Sequence, residues 1–217
     1  MTPSQRGVIK MKKLTLSVMV LAACSSASAM AQDAFSYAKG AATWAHTKSE
    51  FVGGKDNDNR DFGGLSLDLS KSFAGNFYGR FGSEYSSRNS GNDNMAISSL
   101  GVGVFTPIST GLNLYGETGL MGYSLERELS HDVEGWDSVA RKQSGSLYGE
   151  VGMRYDLGQV ELSTAYRYAN MTDDMQDFKV GAAYKLTQSL ALTADYTYRH
   201  WDLQQGSITS LGVKYSF

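Results

Sequence analysis

Ten charged side chains carry most of the chemistry this sequence can offer: Asp68, Arg80, Glu84, Glu117, Glu150, Arg154, Glu161, Arg167, Asp195 and Arg199. Nearly every one is flanked on both sides by apolar, aromatic or small residues, as in Leu67-Asp68-Leu69 and Val160-Glu161-Leu162. Successive side chains of a strand point to opposite faces, so this spacing gathers the charges on one face and their neighbours on the other. Lys39, Lys179, Lys185 and Lys214 follow the same rule and bring the set to eight cations and six anions. Crowded into an enclosed low-dielectric space, such charges must pair, because one left alone costs several kcal/mol. The chemistry implied is mutual neutralisation inside a filled lumen; a narrow conduit for small solutes is the second reading.

Catalytic and ligand-binding signatures are thinner. The three histidines, His46, His131 and His200, lie just beyond strand segments or in a connection, without a partner at metal-ligand spacing. Asp56-Asn57-Asp58-Asn59-Arg60-Asp61 alternates oxygen ligands as a calcium loop does. It lacks the glycine and final glutamate of the ordered loop, so a solvated turn is expected. Gly101-Val102-Gly103 has no third glycine and falls inside a strand, where inward glycines relieve crowding. No cofactor, metal or enzymatic activity is predicted. One connection, 126–144, stands apart: it sets Leu129, His131, Trp136 and Arg141 among acidic residues. An exposed Trp in a charged loop has the composition of a binding hot spot.

The elements that position these residues follow from a period-two alternation of apolar residues. It recurs over ten segments, at 35–47, 61–71, 77–87, 95–105, 112–125, 145–156, 160–170, 178–186, 190–199 and 207–217. Short and long connections alternate between them, and each segment approaches the roughly 9–11 residues that cross a bilayer as a tilted strand. Aromatics sort by height: Phe77, Tyr155, Tyr184, Tyr215 and Phe217 at one end, Tyr85, Tyr166, Tyr168, Phe178, Tyr196 and Tyr198 at the other. Two aromatic belts around an aliphatic band suit a membrane, whereas a soluble sandwich has no reason to sort them. After residue 31 no stretch approaches the roughly 18 apolar residues of a spanning helix. The expected fold is an all-β, closed antiparallel transmembrane barrel of ten strands, with eight as the alternative.

The amino terminus reads as an export signal. Lys12 and Lys13 precede an apolar run from Leu14 to Cys24 and an Ala29-Met30-Ala31 exit, with Met11 an alternative start. Residues 1–31 are expected to be removed, leaving 32–217 as a single barrel domain. Leu21-Ala22-Ala23-Cys24 also fits a lipobox, in which Cys24 would be lipidated instead. Cleavage after Ala31 removes Arg6, Lys10, Lys12 and Lys13 and no acid, moving the formal charge from −2 to about −6 and leaving no cysteine. Nucleic acid is therefore not an expected partner.

The last eleven residues carry a resemblance. Leu211, Val213, Tyr215 and Phe217 alternate with polar residues and end the chain on an aromatic. This resembles the C-terminal assembly signal of bacterial outer-membrane barrels, which implies recognition by the barrel-insertion machinery. Over its mature length the chain resembles the small porin-like outer-membrane proteins, the class of OmpX, Ail and the OmpA membrane domain. The resemblance implies a Gram-negative outer-membrane location, contact with membrane lipid and lipopolysaccharide, and an adhesion, colonisation or membrane-stabilising role through external loops that meet a host or surface ligand. The His-x-Ser motif of lipid A deacylases is absent from His46-Thr47-Lys48, His131-Asp132-Val133 and His200-Trp201-Asp202. The paired aspartates and Asp-His couple of the omptin proteases find no match either.

Overall fold

The computed structural model describes residues 34–48, 59–88, 94–128, 139–171, 173–201 and 203–217. They form ten strands: β1 (Tyr37–Lys48), β2 (Asn59–Phe73), β3 (Phe77–Ser87), β4 (Asn94–Ser109), β5 (Leu112–Glu128), β6 (Val139–Asp156), β7 (Val160–Asn170), β8 (Asp174–Lys185), β9 (Leu190–His200) and β10 (Gln205–Ser216). Each pairs antiparallel with its neighbours in sequence, and β1 closes on β10 to complete a barrel. The closing seam runs in register from Tyr37 opposite Ser216 to Lys48 opposite Gln205. Closure removes every open sheet edge, which hydrocarbon demands because it offers backbone amides no other partner.

Burial is inverted relative to a water-soluble fold. Leu147, Leu65, Leu120 and Leu100 are 62–68% exposed, while Glu150 is 2%, Asp177 0% and Arg199 3% exposed. Outward leucines and valines at alternate positions form the lipid-facing band, as the alternation in the sequence requires. Phe73, Phe77, Tyr155, Tyr184 and Tyr215 are exposed at the end of the barrel that carries the short turns; Trp44, Tyr85, Tyr168, Phe178, Tyr196 and Tyr198 are exposed at the other. Both belts thus stand on the outer surface. Short turns belong on the periplasmic side of such barrels, which makes this the inner end.

The inner turns are tight. Between β2 and β3, Ala74 and Gly75 both take positive φ, 47° and 80°, the pairing that matches the right-handed twist of a hairpin. At Gly111, with φ 78°, an added Cβ would fall 2.4 Å from the Asp156 carbonyl oxygen, so only glycine lets β4 turn into β5 beside β6.

The ten-strand expectation holds and the eight-strand alternative does not. Several strands run past the bounds the alternation suggests: β5 reaches Glu128 and β6 begins at Val139, so their hairpin rises above the aromatic belt. There the backbone ladder continues after the apolar alternation stops. β8 likewise begins at Asp174, and β4 extends to Ser109 with a register shift between Pro107 and Ser109.

Candidate functional site: lumen and outer rim

The lumen is filled in three layers. At the inner end residues 34–36, just ahead of β1, tuck inside, and Phe35 is 1% exposed. Its ring stacks on Phe105 and Tyr78 at centroid distances of 4.3 and 4.8 Å and meets Tyr115 edge-on at 5.6 Å. Arg154 lies over it at 4.7 Å, donates to the Tyr37 hydroxyl at 2.7 Å and also to the Ala34 carbonyl. Ser70 Oγ fixes the same segment by donating to the Phe35 carbonyl at 2.6 Å. Arg154 therefore joins the predicted network through a hydroxyl, a carbonyl and ring faces rather than through a carboxylate.

The middle layer is the ion network. Glu150 takes four donors on two oxygens: Arg80 at 2.8 Å and Tyr115 at 3.0 Å on Oε1, Arg167 at 2.7 Å and Lys179 at 3.0 Å on Oε2. Arg80 also grips Asp68 through Nε and Nη2 at 2.9 and 2.7 Å and approaches Glu117 at 3.6 Å. Tyr148 donates to Glu117. Around them Lys39 pairs with Asp195 at 3.2 Å and Lys214 with Glu161 at 2.7 Å. Arg199 holds Asp177 at 2.8 Å and Glu84 at 3.3 Å. Every predicted network residue faces inward, from strands that place it there by parity.

Two acids complete the set. Asp177, which the alternation leaves in the connection 171–177, sits on β8 and is fully buried against Arg199. Asp156 pairs with Lys185 at 2.7 Å near the inner rim. With them eight acids equal the eight cations in number, so the excess of positive charge read from the sequence disappears, although Arg154 itself meets no carboxylate. The signal for Asp177 was its parity with Lys179, two residues on. Room for these side chains comes from inward glycines: a Cβ at Gly103 would lie 2.4 Å from Tyr78, and one at Gly101 2.3 Å from the Tyr148 hydroxyl. A cavity of about 180 Å³ remains, lined among others by Lys39, Asp68, Glu84, Thr193, Asp195 and Lys214.

The outer layer is apolar, which the simple rule of polar-inward residues misses. Met95, Ile97, Met121, Tyr123, Leu125, Met171, Met175, Trp201 and Leu203 form one buried cluster inside the outer mouth. Trp201 meets Tyr123 edge-on at 4.8 Å. Lumen access from outside therefore passes a methionine-rich, close-packed layer.

On the rim, His46 Nδ1 lies 2.6 Å from Asp61 Oδ1, and Gln205 Nε2 lies 3.2 Å from His200 Nδ1. His200 also borders an open groove with Asp173, Asp174 and Gln176. Among the described residues no three His, Cys, Asp or Glu side chains gather in a way that could hold a metal ion. Of the candidate binding loop, Leu129, His131 and Trp136 lie outside the described residues. Arg141 falls on β6 opposite Glu126, a strand position rather than a loop one. Asp56 to Asp58 also lie outside the described residues. In β10, Leu211, Val213 and Tyr215 are 44–53% exposed on the outer surface, and Phe217 follows the strand.

No curated protein matches the sequence. Among solved structures, Neisserial surface protein A is similar at 12% identity and a TM-score of 0.45, over 87% of this chain and all of that one. Ail, the attachment invasion locus protein of Yersinia pestis, is similar at 14% identity and a TM-score of 0.43, over 83% of this chain and 97% of that one. The N-terminal β-barrel domain of Pseudomonas aeruginosa OprF is similar at 13% identity and a TM-score of 0.39, over 84% and 98%. The model of the outer membrane protein beta-barrel domain matches residues 17–217. With ten strands closed on themselves, charges inside and leucines outside, the chain belongs to the outer membrane protein beta-barrel domain family.

Proposed function

We propose that this outer-membrane barrel does not conduct and that it works at the cell surface, as an adhesion or colonisation-type factor whose outer connections meet a host or surface ligand. The observation that carries the reading is the three-layer filling of the lumen, with Phe35 below, the Glu150 network in the middle and the Trp201 cluster above. A barrel filled by its own side chains leaves the outer rim and its connections as the surface on which individual function resides. Among the described residues, β5 and β6 carry their ladder out beyond the apolar band and lead into the connection that holds Trp136. Outer-membrane lipid and lipopolysaccharide are the surroundings of the outward face. The alternating outward Leu211, Val213 and Tyr215, with Phe217, are what the insertion machinery would read.

The test replaces residues 129–138, which include Trp136, with a short turn and measures attachment of cells displaying the barrel to host-cell and matrix surfaces. The expected result is a fall of about tenfold or more, the worth of one hot-spot side chain at roughly 1.4 kcal/mol, with the barrel still inserted. Unchanged attachment overturns the adhesive role.

A further inference from the structure

The lumen is filled unevenly, and inward parity decides where. On β3, β6 and β7 the inward positions carry Arg80, Glu150 and Arg167, long side chains that reach one another across the interior. The facing wall is built of short ones. Ala41 pairs with Gly212, Gly212 with Thr193 and Thr193 with Ala183, one row from β1 through β10 and β9 to β8, and Thr43 stands beside Ser210 two positions along. Side chains this short leave the cavity of about 180 Å³. Native interiors hold few voids larger than a water molecule, whereas this one has room for about six waters at roughly 30 Å³ each. Hydroxyls border it: Thr43, Ser66, Ser99, Thr197 and Ser210 line the cavity, and none makes a side-chain hydrogen bond among the described residues. Thr193, 6% exposed on the same wall, has a buried hydroxyl in the same condition.

We propose that this cavity is a binding site for one small, neutral, polyhydroxylated solute of the size of a single sugar ring, entered from the inner end of the barrel. A hydroxyl both donates and accepts, so the lining matches an occupant that does both. The charges around it are already matched, Lys39 with Asp195 at 3.2 Å and Lys214 with Glu161 at 2.7 Å. An ion entering would have to take a partner from a buried pair, which disfavours charged solutes. The entrance follows from the floor. Glu161 is the second residue of β7 and Lys214 the third from the end of β10, so their pair stands at the inner end, and both line the cavity. The Phe35 stack covers a different part of that floor, through Tyr78, Phe105 and Tyr115 of β3, β4 and β5. Lys and Glu have large rotamer freedom, which lets this pair part and re-form. The outer mouth is shut by the Trp201 cluster, which makes the site a blind pocket rather than a channel.

The test titrates the full chain, refolded into lipid nanodiscs, with glucose and follows the sugar by NMR, which reads both affinity and release rate; empty nanodiscs supply the blank. Glucuronate and glucosamine carry a charge on the same ring, and maltose is twice the size. Saturable binding of glucose is expected, with the other three weaker by about tenfold or more. Thr43→Val and Ser210→Ala each remove one hydroxyl and should weaken glucose by about tenfold, and Ser210→Leu, which fills the space, should abolish binding. Glu161→Gln combined with Lys214→Met removes the floor pair without stranding either charge and should speed release by about tenfold. No saturable glucose signal from wild-type protein that shows heat-modifiable migration means that water is the sole occupant and overturns the proposal. A charged ring that binds better than glucose, or affinity unchanged in both Thr43→Val and Ser210→Ala, also overturns it. Release no faster in the double variant overturns the inner entrance. The wild-type titration needs no variant to fold.

Discussion

Replacing Glu150 by Ala should destabilise the barrel more than any other single charge removal in the lumen. The carboxylate is 1% exposed in its side chain and takes Arg80, Arg167 and Lys179 at 2.7–3.0 Å. Arg80 keeps Asp68 when Glu150 is gone, whereas Arg167 and Lys179 lose the carboxylate at the centre of their contacts. Breaking a buried pair from one side costs about 3–5 kcal/mol, because a charge is left without its counterion. With two cations stranded the loss should fall at about 5 kcal/mol. Glu150→Gln, which retains shape and an acceptor, should lose less. Adding Lys179→Met to Glu150→Gln should recover part of the loss, a coupling that a double-mutant cycle isolates. Urea unfolding of the refolded protein in vesicles, followed by tryptophan fluorescence and by heat-modifiable migration, gives these values. A loss below about 1 kcal/mol, the worth of an exposed pair, would refute the reasoning by showing that water already solvates the network.

Other perturbations test the remaining layers by the same unfolding assay. Leu100→Arg, on the outward face of β4 midway between the positions that pair with the belt residues Phe77 and Tyr85, should cost about 2–4 kcal/mol, since it places a cation near the bilayer midplane. Phe35→Ala removes the ring stacked between Phe105 and Tyr78 and should cost about 3–5 kcal/mol. Gly101→Val pushes a side chain into the Tyr148 hydroxyl, 2.3 Å from the ideal Cβ, and should cost about 1–3 kcal/mol while leaving the outer surface unaltered.

The fold was legible wherever the membrane writes a pattern. β7 runs from Val160 to Asn170, the bounds that alternation assigns, because Leu162, Tyr166 and Tyr168 alternate with Glu161, Ser163 and Arg167 over its whole length. Strand ends above the bilayer were not legible: at Val139–Ser144 and Asp174–Asp177 the ladder persists but no apolar face marks it. Inward parity of the charges was legible, yet their partners were not. Lys39 finds Asp195 across 156 positions and Arg199 finds Glu84 across 115, distances that only closure and register define. The methionine-rich outer layer broke the expectation of polar interiors, since Met95 and Ile97 sit at inward positions above the lipid band.

The claim on which the account rests is that side chains close this lumen above and below its central cavity and leave no continuous path for water. Recording from the purified, refolded protein in planar bilayers tests it directly, since open aqueous pores belong to barrels of roughly 16 strands and this one has ten. The account predicts a silent membrane under applied voltage. Stable, discrete single-channel steps from homogeneous protein would contradict it.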